Sequence, residues 1–346
     1  MGLEKIIKGV QKGLVSLILL TGSCSNSAVF QKPVGRIGYF FGSGQRILDS
    51  SLLGNHNENE KNGLVYTCKG GFIDLAHLRK SADWTNYLYQ KTKSNLLDNK
   101  SEFEFKLKEP SKYFVKLKFP ENWQSLNDED KKQILEDVSI DLGEYFSYTA
   151  VTWHEILTAM GYKSTGIFSE NASAFSPEDN YSNLLGCCIA KDILRKEGPE
   201  DFNNFMTKYL KRELENLRIQ NKERTREIEK EIKGKWYKGS FPFMKLIKKT
   251  FDIGLDSGFV RPWIVKGACE SEVYKEYPIP NLDCLGKYGF SIQLHISPNV
   301  WEGDKILSIL GDKKTIQPET DFKILIDYIR EREVKKYGVN VDNPYR

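Results

Sequence analysis

The chain has 346 residues, of which 28% are charged and 40% are hydrophobic, and its formal net charge is +4. This composition is typical of a soluble globular protein with a substantial core, and it excludes a disordered chain and a multi-span membrane protein. The near balance of charge argues against nucleic acid as a partner, because phosphate binding requires a concentrated positive face.

The first residues resemble an export signal. A basic start is followed by the apolar run GLVSLILLT at 13–21, which is too short to cross a bilayer as a helix but suits a signal peptide. Gly22 and Ser23 then precede Cys24, which resembles the lipobox of bacterial lipoproteins, with Thr21 making it slightly irregular. We expect a lipoprotein signal peptide at 1–23 and a lipid on Cys24 that anchors the protein to a membrane of the bacterial cell envelope. The alternative is an ordinary secretory signal with an incidental cysteine.

Five cysteines follow Cys24, and an exported chain meets an oxidising compartment in which disulfides form. The sequence does not fix the pairing, and Cys269 with Cys284 is the favoured local pair. The odd number leaves at least one free thiol. Cys187 and Cys188 lie side by side in an apolar helical run and are expected in the core.

The part of the chain after the signal divides into a tether at 24–34 and a single domain at 35–346. Spacing of apolar residues and turn residues predicts the first elements of the domain in order: a strand at 35–47, a strand at 63–68, a helix from Asp74 to Leu97, and a β-hairpin at 101–119.

Helical patterns dominate the rest of the chain. Asn127 caps a long run that stops at Gly161, and Ser176 with Pro177 starts another that continues to Lys196. The remaining predicted segments are a long helix at 200–233, a short helix at 243–251, strands at 261–265 and 290–295, and a closing helix at 321–336. The sum is an α+β fold, a helix-rich single large domain with small antiparallel sheets near its start and in its C-terminal third.

Two segments place histidines among other polar residues. In the first, Asp74 shares a helix face with His77, and Arg79 shares one with Asp83. A carboxylate one turn from an imidazole holds it in one tautomer, as metal ligation and base catalysis both require. The Arg79–Asp83 pair is expected to brace the site. The alternative is a helix with one core histidine and an ordinary surface ion pair.

His154 and Glu155 form the second segment. They match the first half of the HExxH motif of zinc proteases, but Thr158 stands where the second histidine would be, which excludes that class. A site that joins His77 and His154 from two helices is open, with His56 or Asp74 as the third ligand of a divalent metal such as zinc.

Cys68 offers a different chemistry. It ends a predicted strand just before two glycines and the start of the His77 helix, where the helix N-terminus lowers a thiol pKa. A Cys–His nucleophile pair of Cys68 with a nearby imidazole is therefore an alternative to the metal site. A disulfide or a buried thiol is the commoner fate of such a cysteine.

A stretch rich in hydroxyl and amide groups, at 161–183, completes the candidate site. Such loops cover sites and bind polar ligands, and they also simply cap helices. Its candidates are Ser176, Glu178, Asp179 and Asn183, although the two acids are equally explained as first-turn residues of a helix. No GxSxG, P-loop or paired CxxC motif supports a serine hydrolase, a nucleotide site or a zinc ribbon.

Three blocks of sequence resemble the bacterial family called domain of unknown function 4056, much of which is predicted to be lipoprotein. The blocks are GLVYTCKGGFIDLAHLRKSADWT at 63–85, WHEILTAMGYKST at 153–165 and SAFSPEDNYSNLLG at 173–186. The resemblance implies a family identity and an envelope location. It brings no established activity or catalytic residue.

These observations lead to the hypothesis of a lipoprotein hydrolase that acts on an envelope polymer, lipid or peptide. His77 and His154 would bind a divalent metal or share proton transfer, Glu155 would be the base, and Arg79 or Asn183 would stabilise developing charge. The rival hypothesis is a non-catalytic lipoprotein that binds a ligand or a partner protein. Convergence of both histidines and Glu155 would favour the enzyme.

Overall fold

The structure is a computed structural model that describes residues 32–36, 38, 41, 47–107, 109–163, 173–239, 244–270 and 273–344. The predicted signal peptide, Cys24 and most of the predicted strand at 35–47 lie outside these residues. Among the described residues, no helix combines the length and the apolar character needed to cross a membrane.

The regular elements of the described chain are helices and short antiparallel strands. The helices are α1 (Leu75–Leu97), α2 (Asp128–Met160), α3 (Asp179–Lys196), α4 (Phe202–Asn216), α5 (Lys222–Ile232), α6 (Asp283–Lys287), α7 (Gly303–Ile309) and α8 (Pro318–Tyr337). The strands are β1 (Leu64–Thr67), β2 (Gly71–Asp74), β3 (Glu102–Phe105), β4 (Lys112–Lys118), β5 (Tyr237–Lys238), β6 (Lys245–Leu246), β7 (Phe259–Val260), β8 (Tyr277–Pro278) and β9 (Ser291–Ser297). The predicted α+β fold is confirmed.

Helices α1, α2 and α3 pack closely against one another and form the framework of the candidate site. Two glycines permit this approach. A Cβ atom added at Gly143 of α2 would lie 2.8 Å from the backbone nitrogen of Tyr89 in α1, and one added at Gly186 of α3 would overlap the carbonyl oxygen of Leu78 in α1. Neither position accepts a larger residue without moving a helix axis.

The small sheets flank this helical framework. β1 and β2 form an antiparallel hairpin, and β2 leads directly into α1. β3, β4 and β9 form a three-stranded antiparallel sheet in that order, in which β9 pairs with β4 along its whole length. This sheet covers a core that includes Trp153 and Phe146 of α2.

Most predicted elements are confirmed within one to three residues at each end. The helix after Asp74, the hairpin at 101–119, the helix capped by Asn127 and the closing helix are all present. The helix predicted from Ser176 begins at Asp179 instead, because the Ser176 hydroxyl donates a hydrogen bond to Glu178 rather than capping the first turn.

Three predictions of secondary structure are wrong. The long helix at 200–233 is two helices, since Arg218 adopts a φ of 62° and Asn221 caps α5. The described part of the predicted helix at 243–251 forms β6 and irregular backbone. The strand predicted at 261–265 is irregular, and the nearby pairing occurs at β7.

The predicted disulfide is also wrong. Cys68 is bonded to Cys269, across 201 residues of sequence, and Cys284 is a free cysteine. Sequence proximity favoured the wrong partner, because the hairpin end at Cys68 lies against a segment from the C-terminal third. Cys187 is buried among apolar side chains, as expected.

Candidate metal centre

The junction between β2 and α1 positions the first two residues of the site. Asp74 ends β2 in extended backbone and caps α1, because its Oδ1 accepts a hydrogen bond of 2.8 Å from the backbone nitrogen of Ala76. His77 lies one turn later on the same helix. The cap therefore fixes the carboxylate, and the helix fixes the imidazole beside it.

Helix α3 supplies a second carboxylate from Asp179, its first residue. His77 Nδ1 lies 2.8 Å from Asp74 Oδ2 and 3.1 Å from Asp179 Oδ1. One ligand atom from each of the three residues lies within 4.8 Å of the other two. We call these three residues the His77 triad.

The position of His77 Nδ1 between two carboxylates fits an imidazolium ion pair and also fits a site for a divalent ion. Both carboxylate oxygens lie within ion-pair distance of this buried nitrogen. Tetrahedral bonds of about 2.0–2.1 Å to one ion place neighbouring ligand atoms roughly 3.3 Å apart. The separation of 3.1 Å from Asp179 is close to that value, whereas the separation of 2.8 Å from Asp74 is shorter and is typical of a hydrogen-bonded ion pair.

Backbone and hydroxyl groups hold both carboxylates in place. The Asp74 backbone nitrogen donates to the Ser182 hydroxyl of α3 at 2.9 Å, which joins the two helix starts. Asp179 Oδ2 accepts a hydrogen bond of 3.2 Å from the backbone nitrogen of Ser176. Such outer contacts orient ligand groups in metal sites.

The surroundings of the triad are rich in buried acids. Burial and the neighbouring Asp179 raise the pKa of Glu178 well above its usual range. Burial and Glu155 raise the pKa of Asp179 to about 6, although His77 opposes the shift. Burial and Lys80 lower the pKa of His77, but the negative charges of Asp179 and Asp74 outweigh them. The net result is a pKa raised to about 10. The site thus holds a positive charge at His77 Nδ1, which a bound cation would replace.

Two residues that the sequence reasoning missed close the site. A Cβ at Gly38 would overlap His77 Cε1 and lie 2.8 Å from Nε2, so the Gly38 backbone covers the outer edge of the imidazole. Lys249 donates a hydrogen bond of 2.5 Å to the carbonyl of Ala174. Burial lowers its pKa to about 8, although nearby carboxylates that include Glu155 oppose the shift. Neither residue stands in a motif that marks it.

Glu155 faces this acidic region, whereas His154 does not join the triad. Glu155 is buried, and its Oε2 accepts a hydrogen bond of 2.9 Å from the backbone nitrogen of Phe175. His154 Nδ1 instead lies 2.6 Å from Glu109 Oε1. Burial favours a raised pKa at Glu109, but His154 lowers it below the usual range, with a smaller contribution from Lys80. Adjacent helix positions differ by about 100°, which separates the two side chains.

His56, Arg79 and Asp83 belong to a second buried group, which we call the Arg36 network. His56 Nε2 lies 2.7 Å from Asp83 Oδ1, and Arg36 donates to Asp83 at 2.5 Å and to Glu60 at 2.6 Å. The expected Arg79–Asp83 brace is not formed. Arg79 donates to the carbonyl oxygens of Leu53 and Lys61 and lies 3.4 Å from Glu60.

The other candidates have clear structural partners. Cys68 is held in its disulfide, so the Cys–His alternative has no free thiol in this structure. Asn183 Oδ1 accepts a hydrogen bond of 2.9 Å from the Ser81 hydroxyl of α1. Of the four proposed ligands, the structure brings together His77 and Asp74, with Asp179 beside them, while His56 and His154 are paired with Asp83 and Glu109.

Comparison with known proteins identifies a family. A family model described as a protein of unknown function, DUF4056, matches residues 32–254, which is more than half of the chain. The chain belongs to this family. No curated protein and no solved structure matches it significantly. The matched region contains the whole His77 triad and both histidine segments.

Proposed function

We propose that this chain is a bacterial envelope lipoprotein whose folded domain is a metal-assisted hydrolase, with a divalent ion bound by Asp74, His77 and Asp179. The geometry at His77 Nδ1 carries the proposal, because two carboxylate oxygens from the starts of two helices flank one buried imidazole nitrogen. A divalent ion on the nitrogen lone pair would replace the imidazole proton and balance the charge of both acids.

The donor set suits zinc and chemically similar divalent ions. Catalytic zinc takes three protein ligands, drawn from imidazole nitrogens and carboxylate oxygens, and keeps a fourth position for water. The triad supplies one nitrogen and two carboxylates. An ion in such a site lowers the pKa of its bound water to about 7, which makes hydroxide available at neutral pH.

Glu155 is the best-placed base for that water. It is buried, it is fixed by Phe175, and it is close enough to Asp179 to raise the pKa of that acid. Glu155 would accept the proton of the attacking water, and an ion at the triad would supply Lewis acidity for hydrolysis of an envelope polymer, lipid or peptide. The same proton would then pass to the leaving group. Arg79 has no part in this scheme, since it belongs to the Arg36 network.

Metal content tests the proposal directly. The chain purified without a histidine tag should hold one divalent ion per molecule, measured by elemental analysis. His77→Gln and Asp179→Asn should lose the ion. His154→Gln is the matched control, because it changes a histidine outside the triad and should keep the ion. Metal-free wild-type protein that is folded and accepts no added zinc would contradict the proposal.

Membrane attachment is tested separately. Cys24→Ala should release the protein from the membrane fraction, while Cys284→Ala, which removes a free cysteine within the fold, should leave it there. Unchanged fractionation of the Cys24 variant would contradict lipid anchoring.

The rival function is ligand binding without catalysis. A groove between helix α8 and the segment 250–263, separate from the His77 triad, favours ligand binding. An ion at the triad together with no hydrolysis of envelope polymers, lipids or peptides would support that rival.

A further inference from the structure

A groove separate from the His77 triad lies between helix α8 and the segment 250–263. Its volume is about 510 Å³, within the range of about 300–1,000 Å³ typical of ligand sites. Its lining combines aromatic, charged and apolar groups: Phe251, Asp252, Trp263, Tyr274, Lys323 and Arg330. We propose that this groove binds an uncharged oligosaccharide segment of a glycan.

Each of the three basic side chains of the lining is already paired with a carboxylate, which argues against an anionic ligand. Lys323 Nζ lies 3.1 Å from Asp256 Oδ1, and Arg330 Nη2 lies 2.7 Å from Asp342 Oδ2, with both pairs inside the lining. Arg261 Nε lies 2.9 Å from Oε2 of Glu276, which is outside the lining. An anionic ligand would have to compete with these pairs. A hydroxyl group both donates and accepts, so it can bond to a carboxylate and a cation without separating them.

The apolar part of the lining matches the apolar faces of a sugar ring. A sugar ring presents C–H groups on its faces and hydroxyl groups around its edge. Trp263 and Tyr274 line the groove, and the Tyr274 side chain is exposed. Aromatic rings offer a large flat apolar surface with little conformational entropy to lose. Phe251, on the same lining, is buried and adds apolar surface at depth.

Helices α2 and α3 hold the wall of the groove in place. Tyr148 of α2 donates a hydrogen bond of 3.0 Å to the carbonyl of Ile253. Asn180 of α3 donates hydrogen bonds of 3.1 Å to the carbonyls of both Thr250 and Asp252. A wall fixed in this way is preformed, which lowers the entropic cost of binding.

The same contacts connect the groove to the His77 triad. Asn180 follows Asp179 directly, and the Thr250 nitrogen donates to the carbonyl of Phe175, whose own nitrogen bonds Glu155. Glycan binding does not depend on the metal, so it goes beyond the proposed hydrolase. If both proposals hold, the groove would retain a glycan chain beside the metal centre, and glycans would be the substrate class.

The test measures binding of two uncharged probes, the tetramers of N-acetylglucosamine and of glucose, to the full chain by calorimetry. At least one should bind saturably. Tyr274→Ala should weaken that binding by about 2- to 12-fold, the effect of losing one stacked aromatic contact of ~0.5–1.5 kcal/mol. Tyr328→Ala is the matched control, because this tyrosine of α8 is similarly exposed but outside the lining, and binding should be unchanged.

Other arms separate this proposal from the metal centre and from other ligands. Asp179→Asn should lose metal and keep glycan affinity, so that either proposal can fail alone. Absence of binding by both tetramers, or equal affinity in the Tyr274 variant, would overturn the assignment. Tighter binding of an acidic or basic peptide than of either tetramer would overturn it in favour of a peptide groove.

Discussion

Removing an ion from the His77 triad should lower the melting temperature by a definite amount. The ligands come from the starts of two helices far apart in sequence, so the unfolded chain does not reproduce the site. A ligand specific to the folded chain stabilises it by about 4.1 kcal/mol when its free concentration is 1,000 times Kd. For 346 residues the entropy of unfolding is roughly 0.7 kcal/mol per kelvin. Restoring zinc at that ratio should therefore raise the Tm by about 6 °C.

The assay is a thermal melt of chelated protein with increasing zinc, with magnesium at the same ionic strength as comparison. Asp179→Asn should remove most of the zinc-dependent rise. Asp192→Asn makes the same chemical change further along α3, where the side chain is 53% exposed, and should retain the full rise. An equal rise in wild type and in the Asp179 variant would refute the assignment of Asp179 as a ligand.

Further predictions concern the proposed base Glu155, the close contact of α3 with α1 at Gly186, the acid dependence of stability at Glu60, and the disulfide. Glu155→Gln should keep the fold and bound metal but lower any hydrolytic kcat by at least about 100-fold; undiminished turnover would remove it as base. Gly186→Ala should destabilise the chain by about 2–4 kcal/mol in urea unfolding, because its Cβ would overlap backbone of α1, and an unchanged midpoint would contradict that packing. Burial raises the pKa of Glu60, but hydrogen bonds from Arg36 and Asn62 hold it at about 2, below the usual 4.5. With solvent screening allowed for, this lowered pKa stabilises the folded chain by about 1–3 kcal/mol. The stabilisation is present above pH 4.5 and is lost as the pH falls towards 2. Glu60→Gln should reduce the loss of unfolding free energy between pH 4.5 and pH 2, measured by urea unfolding at each pH. Replacing both cysteines of the Cys68–Cys269 disulfide by serine should cost roughly 3–5 kcal/mol, since it closes a loop of 201 residues, and a reducing agent should then have no further effect.

Local signals in the sequence predicted the fold where the structure is itself local. Caps and apolar periodicity located α1 and α2, because those features act within one or two turns. The same reasoning failed at Arg218, where a single residue of positive φ breaks a continuous helical pattern. It also failed to pair β9 with β4 and Cys68 with Cys269. Both contacts join parts of the chain that are distant in sequence, and one sequence contains no local signal for them.

The site was predicted in part for the same reason. Asp74 and His77 are one turn apart, so spacing alone placed them on one face. Asp179 was recognised as a polar residue at a helix start, but a first-turn acid has an ordinary explanation in the helix dipole. Only the packing of α3 against α1 through Gly186 shows that this helix start meets His77. The buried environment of Glu178 could not be seen from sequence either.

The helix register explains why His154 approaches the triad without joining it. Gly143 of α2 lies beside Thr85 of α1, and four residues later the Ser147 hydroxyl donates to the carbonyl of Ser81. One more step of four brings α2 level with His77 and leaves His154 nearly a turn beyond it. Its ring is turned toward Glu109, so it lies at the edge of the site. Its Nδ1 lies 2.6 Å from Glu109 Oε1, so this nitrogen is paired with a carboxylate outside the His77 triad.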